Sequence, residues 1–207
     1  MIESPKFWYK NNLYSKIQSF LLFPLSILWI LISFLKKVLI KKYKSKLKVI
    51  CIGNITVGGT GKTPFAIYTF KFLKKLGYKP VFLTRGYGGL LKGPIEVKDT
   101  HKFKEVGDEA LLLNKVGPTI VSKNRSLGAK LIENHESDFN IIIMDDGLQN
   151  YQLKQDIKFL LIDKNLKFGN EFCIPAGPLR EPINQALLGI DAIVLTGNES
   201  KDTDLYK

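Results

Sequence analysis

Residues 53–63 read Gly-Asn-Ile-Thr-Val-Gly-Gly-Thr-Gly-Lys-Thr, between an apolar run at 49–52 and a helix-like stretch at 64–76. This segment constrains the fold more than any other in the chain. A strand must end, the backbone must turn through glycines, and a helix must open at the Lys-Thr pair. Gly58, Gly59 and Gly61 let N–H groups turn towards an anion with no Cβ in the way. The helix N-terminus adds a partial positive charge. Lys62 can reach β- and γ-phosphate oxygens, and the Thr63 hydroxyl can ligate Mg²⁺. Thr56, Val57, Gly58, Gly59, Thr60, Gly61, Lys62 and Thr63 are therefore the candidate nucleotide-binding residues. The pattern G-x-x-x-x-G-K-[ST] asks for glycine where this chain has Thr56, and the bland alternative is a glycine-rich turn with no ligand.

Short apolar runs recur at 49–52, 80–83, 119–121, 140–144, 157–162 and 192–195. They are rich in β-branched residues and nearly continuous in hydrophobicity, as strands buried on both faces should be. Helical stretches are expected at 64–76, 108–115 and 125–133. In the first, Phe65, Tyr68, Phe72 and Leu76 recur at helical spacing and Gly77 is a C-cap candidate. Alternating strands and helices predict an α/β fold, a P-loop NTPase-like, mainly parallel sheet with helices on both faces. Two cysteines in 207 residues rule out a disulfide framework. Cys51 and Cys173 lack metal-ligand spacing.

The run 140–149 carries an apolar strand into Asp145 and Asp146, with Gly147 allowing a sharp turn. Open α/β sheets bind ligands outside the carboxyl ends of their strands. An aspartate there suits Mg²⁺, whereas alone it could simply be a solvated strand end. Phosphate loop and carboxylate together imply Mg-nucleotide binding. The chain has no N/T-K-x-D guanine signature, which favours ATP.

The net charge of +12 is unevenly spread. Residues 1–48 hold ten lysines and one acid, Glu3, whereas residues 49–207 are nearly balanced. A basic nucleic-acid-binding face on the main domain is therefore not expected. Residues 20–35 carry no charge and are flanked by lysines. Sixteen helical residues reach about 24 Å against about 30 Å of hydrocarbon. A tilted span, an interfacial helix, a hairpin broken at Pro24 and a buried core helix all stay open. Trp8, Tyr9, Tyr14 and Trp29 suit headgroup depth. The lysine cluster suits an anionic leaflet with the following domain on its cytoplasmic side. The expected organisation is a membrane-anchoring segment, 1–47, and a P-loop domain, 48–207.

Five segments in order then resemble the lipid A 4′-kinase (tetraacyldisaccharide 4′-kinase) family: 53–64; Thr-Arg-Gly-Tyr-Gly-Gly at 84–89; Val-Gly-Asp-Glu-Ala at 106–110; Asp-Asp-Gly-Leu-Gln at 145–149; and 169–182. Threonine at 56 is ordinary in that family. The resemblance implies an ATP- and Mg²⁺-dependent transferase. It would pass the γ-phosphoryl group to the 4′-hydroxyl of a tetraacyl disaccharide 1-phosphate, a lipid A precursor, at the cytoplasmic face of a bacterial inner membrane. No nucleic acid and no stable protein partner are implied. Lys62 would stabilise phosphate charge. Thr63 and Asp145 would hold Mg²⁺, supported by Glu109 and Gln149. Asp108 would be the catalytic base, Asp146 would orient Mg²⁺-bound water, and Arg85, Tyr87 and Arg180 would contact acceptor or phosphate.

Two features depart from the family pattern. Family members continue into a second lobe that supplies a histidine paired with the Asp108 position, and this sequence is expected to lack that lobe. Its two histidines, His101 and His135, fall in no matching segment. Asn150 stands where the family has histidine. The alternatives are an inactive kinase fragment or a membrane-attached nucleotide switch. A further one is a cytosolic small-molecule kinase whose first helix is buried.

Overall fold

The computed structural model describes residues 4–197. The outermost parts of the two expected segments, residues 1–3 and 198–207, lie outside the described residues. Strands β1 (Lys48–Gly53), β2 (Pro80–Thr84), β4 (Thr119–Val121), β5 (Ile141–Asp145), β6 (Ile157–Asp163) and β7 (Ala192–Thr196) fall on the six predicted runs. A further two-residue strand, β3 (Ile95–Glu96), joins them. The sheet order is β3-β4-β2-β5-β1-β6-β7, and only β3 runs antiparallel to its neighbour.

Alternate residues along each strand feed two cores. On one face Val49, Cys51, Val81 and Met144 pack under Ala129 and Ile132 of α5 (Arg125–Glu133). On the other, Ile50, Ile52, Phe82 and Ile143 pack under Ala66, Phe70 and Leu73 of α2 (Lys62–Lys75) and Leu113 of α4 (Asp108–Asn114). Short helices α3 (Phe103–Val106) and α6 (Ile183–Leu187) complete the domain. β1, β2, β4 and β5 are covered on both faces, which is why their sequences do not alternate with polar residues. Edge strand β7, expected to be buried likewise, instead leaves Ile193 and Leu195 exposed, because no element among the described residues covers that side.

Helix α2 exists where its spacing predicts, but it is rotated about its axis. Ala66, Thr69, Phe70 and Leu73 are buried, while Tyr68, Phe72 and Leu76 are exposed. Two apolar sets share this helix, and the smaller Ala66 permits the closer approach to the sheet. Past C-cap Leu76, Gly77 takes φ +85°. The Tyr78 N–H bonds the Leu73 carbonyl and the Gly77 N–H that of Lys74, a Schellman closure.

Helix α1 (Leu13–Leu39) has 27 residues and is long and apolar enough to cross a membrane. Asn12 caps it by accepting the Ser15 N–H. It runs unbroken through Pro24, so the chain does not fold back there. It is not a core helix either. Its buried residues are Ser15, Ser19 and Ser26, while Leu21, Leu28, Leu31 and Leu35 are about half exposed or more. The serines, spaced i, i+4 and i+11, form one stripe against the loop that follows β6. Ser26 donates to the Cys173 carbonyl (2.7 Å) and accepts the Ala176 N–H (3.1 Å). Ser19 accepts from Asn170, and the Trp29 indole donates to the Arg180 carbonyl. Trp8, expected at headgroup depth, is instead buried and donates to the Pro175 carbonyl.

Candidate functional site

Strand register builds the site. β1 lies between β5 and β6, and Ile52 pairs with Asp145. The phosphate loop leaving β1 therefore emerges beside the aspartates leaving β5. Gly58 (φ +123°) and Gly61 (φ +72°) occupy backbone conformations that a side chain would strain. Gly61 is the N-cap of α2 and so puts Lys62 and Thr63 in its first turn. Asn54, fully buried, ties the loop from within by donating to the Thr56 carbonyl and accepting from Lys62 Nζ (3.1 Å). From outside, the Val57 N–H bonds Pro178 and the Arg180 N–H bonds Ile55. Thr60 is buried and its carbonyl accepts from Thr196 at the end of β7.

Thr63 Oγ1 donates to Asp145 Oδ2 at 3.2 Å. The other oxygen, Asp145 Oδ1, is buried without a partner among the described residues. Burial, then Glu109 and Asp146, push this carboxyl up to about 7. A half-satisfied buried carboxylate beside a threonine hydroxyl is a donor set that fits a hard divalent cation. That cation would supply the charge this pocket lacks. Asp146, at φ +50°, meets Arg180 at 2.9 Å and Lys62 at 3.7 Å.

Glu109 lies in the first turn of α4 and its carboxyl is raised, by burial first and then by Asp146. It thus belongs to the same acidic cluster. Asp108 precedes it, is exposed, and accepts the Glu109 N–H. Gln149 holds the site from behind. It donates to the Asn54 carbonyl and to Glu181, and it accepts from Arg180. The amide is thereby committed to protein partners at both ends.

Arg85 and Tyr87 follow β2 and are exposed. Their loop lies backbone to backbone on the start of α4. A Cβ on Gly107 would strike the Tyr87 carbonyl, and one on Gly89 would strike the Glu105 carbonyl. The 84–89 and 106–110 segments are therefore two halves of one packed structure, and their glycines serve that contact. Neither histidine joins the site. His101 accepts the Lys98 N–H and His135 faces Glu96. Asn150 closes a turn by accepting the Gln152 and Leu153 N–H groups.

Sequence reasoning passed over three residues. Asn54 and Glu181 are buried polar struts of the loop. Arg125, 2% exposed, bonds the Ser122 carbonyl while its Nε has no partner among the described residues. Burial, then Arg85, lower it to about 10. A signal for it existed, since a cation at the first position of a helix opposes the macrodipole.

Three comparisons bear on this geometry. The family model for tetraacyldisaccharide-1-P 4′-kinase, LpxK, matches residues 18–207. Tetraacyldisaccharide 4′-kinases of Rickettsia bellii and Psychromonas ingrahamii are each 43% identical, over 95% and 93% of this chain but 59% and 61% of their own lengths. A crystal structure of LpxK from Aquifex aeolicus in complex with ATP superposes with a TM-score of 0.78 at 31% identity, covering 91% of this chain and 62% of that one. The chain thus spans about three fifths of the length of these relatives. The matched span runs from within α1 through the phosphate loop, both aspartates and the Arg180 loop, and on this match the chain belongs to the tetraacyldisaccharide 4′-kinase family.

Proposed function

We propose that this chain carries the nucleotide-binding and phosphoryl-transfer half of a membrane-bound lipid kinase. The donor is ATP with Mg²⁺, and the acceptor is the 4′-hydroxyl of a tetraacyl disaccharide 1-phosphate. The observation that carries the reading is the pairing of Thr63 with the half-satisfied buried Asp145, one residue from the Lys62–Asp146 contact. Bound Mg²⁺ would supply charge neutralisation at the phosphates, with Thr63 and Asp145 as its protein ligands and Glu109 nearby. Lys62 is held by Asn54 and Asp146 for the phosphate oxygens. Asp146 keeps both cations, Lys62 and Arg180, oriented before any ligand arrives. Asp108 is engaged only with its own helix among the described residues, so its second oxygen is free to take the acceptor's proton. Arg85 and Tyr87 stand exposed for the acceptor. Positioning and charge neutralisation are what phosphoryl transfer chiefly demands.

The expected division, a membrane-anchoring segment up to residue 47 followed by a P-loop domain, is supported by the chemistry of α1. Its outward face is apolar and its inward face is hydrogen-bonded. A helix docked along a domain in this way fits an interfacial attachment better than an upright span. An apolar cleft of about 850 Å³ between the start of α1 and residues 165–172, bordered by Phe20 and Phe23, is large enough for acyl chains. The lysines after α1 support an anionic, cytoplasmic leaflet as the surface on which the domain would sit.

A second reading, a nucleotide-binding membrane module without transfer, is favoured by one observation. Among the described residues no histidine pairs with Asp108, since His101 accepts the Lys98 N–H and His135 faces Glu96. The test is transfer of labelled γ-phosphate from ATP to a tetraacyl disaccharide 1-phosphate in mixed micelles, with Asp108→Asn in parallel. Labelled lipid that disappears in the variant supports the kinase. Retained Mg-ATP binding with no labelled lipid supports the second reading.

A further inference from the structure

Behind Gln149 and Glu181, away from the phosphate loop, lies a cavity of about 350 Å³. Four segments distant in sequence close it: the end of α1, the stretch after it, the loop 148–155 with the start of β6, and α6 with its exit turn. Each of the first three contributes lysine. Lys37, Lys42, Lys154 and Lys158 all line the cavity, and Glu181 is its one acid. Glu181 is already engaged, because its Oε1 accepts from Gln149. None of the four lysines forms an ion pair among the described residues, although acids pair elsewhere with Lys48, Lys62 and Lys79. Lys37 and Lys158 are half-buried, so they are partly stripped of water, whereas Lys42 and Lys154 are exposed. Lys37 lies 6.0 Å from the centre of the Tyr151 ring, which forms one wall. The Lys158 ammonium sits against Gly189, where even a methyl group would crowd it.

Four lysines around one concave space, two of them half-buried and none paired with an acid among the described residues, give it a positive potential that attracts an anion. Lysine ammonium groups, which donate and never accept, suit phosphate oxygens, which take several N–H bonds at once. The cavity's position selects the carrier. Lys37 is two residues from the end of α1, whose apolar face points outward. A phosphate at headgroup depth beside that helix would reach the cavity without leaving its bilayer.

We propose that this cavity is a binding site for the phosphate of an anionic phospholipid headgroup, separate from the phosphoryl-transfer site. Nothing in it depends on catalysis. It rests only on the reading of α1 as membrane-associated. Glu181 joins the two sites physically, since it borders the cavity and holds Gln149, which holds Arg180.

The test is cosedimentation of the full chain with phosphatidylcholine vesicles, with and without phosphatidylglycerol. Lys154→Gln/Lys158→Gln is compared with Lys71→Gln/Lys74→Gln, an equal charge change on the exposed face of α2. The cavity pair should weaken binding to the anionic vesicles about 25-fold, at about fivefold per lysine, while the control pair moves it less than about twofold. Equal losses in both variants would mean diffuse electrostatics and would overturn the site. Binding that is no tighter to phosphatidylglycerol vesicles than to neutral ones would also overturn it, while leaving the membrane reading of α1 intact. Amine-reactive labelling of the unmodified chain checks the site without relying on a variant's folding. Lys158 should be protected by phosphatidylglycerol vesicles and not by inorganic phosphate added to neutral ones. Equal protection by inorganic phosphate would make the ligand a soluble anion and overturn the lipid assignment.

Discussion

Helices α1 and α2 are both rich in large apolar side chains, yet they are attached to the domain in opposite senses. α2 turns Ala66, Phe70 and Leu73 inward and leaves Lys71, Lys74 and Lys75 in water. α1 turns Ser15, Ser19 and Ser26 inward and leaves its leucines outside. The difference lies in what each helix meets. α2 covers an apolar sheet. α1 covers the loop at 170–180, where its Ser26 and Trp29 donate to the carbonyls of Cys173 and Arg180 and its Ser26 accepts the Ala176 N–H. Burying an apolar side chain is worth about 1.5–3 kcal/mol, so the outward row of α1 would gain from the membrane contact proposed above. The same contrast connects α1 to the chemistry. Its Trp29 holds the backbone of Arg180, and the Arg180 side chain holds Asp146.

The sharpest way to separate the helices is to remove what each contributes. Lys62→Ala at the head of α2 should reduce Mg-ATP binding or turnover by about 100-fold or more, because a preorganised cation is lost at the phosphates. Vesicle binding should be unchanged, which cosedimentation would check. If the variant also left the membrane, the two helices would not be functionally separable. The converse change, Leu28→Ser with Leu31→Ser and Leu35→Ser, should leave nucleotide binding intact. It should weaken partition into neutral vesicles by about 3–6 kcal/mol at most, allowing for incomplete burial. Unaltered partition would show that the outward face of α1 does not meet lipid.

A smaller effect tests the inward face. Ser26→Ala removes one side-chain oxygen and leaves the Ala176 N–H buried and unpaired, while the Cys173 carbonyl keeps the Gly177 N–H. The cost should be about 2 kcal/mol in denaturant unfolding. A loss below about 0.5 kcal/mol would mean that the stripe merely fits the loop and does not bind it.

The order of strands and helices was legible because fully covered strands announce themselves as apolar runs. The segment 125–133 was readable to the residue, as Asn124 caps it in the ordinary way by accepting the Ser126 and Leu127 N–H groups. Strand β3 was not, since two edge residues carry no periodicity. The phosphate loop and Asp145–Asp146 were visible from local order alone. Asn54, Arg125 and Glu181 were hidden because their meaning comes from burial among distant partners. The rotation of α2 was hidden for a similar reason, because Phe65, Tyr68 and Phe72 make as good a helical stripe as the set that is buried. In α1, composition suggested membrane affinity, but only the partners of the serines reveal which side faces the protein.

The smallest expected effect concerns the joint between the two regions. After α1 the chain is clamped to α5 through Glu133, which accepts from Tyr43 (2.7 Å), Ser45 (2.6 Å) and the Lys46 N–H (3.0 Å). Burial alone would raise this carboxyl, but the bonds from Ser45 and Tyr43, with Lys46, outweigh it and hold it below the usual range. A carboxylate lowered in the folded state stabilises fully above its unfolded value near 4.3, and that stability fades as pH falls through the lower folded value. Glu133→Gln should therefore cost about 1 kcal/mol at pH 7, and the gap to the unmodified chain should close below about pH 4. Melting curves at several pH values would check this. A gap that stayed constant down to acid would assign the clamp to packing and not to the charge. The connection between α1 and the α/β domain would then be indifferent to protonation.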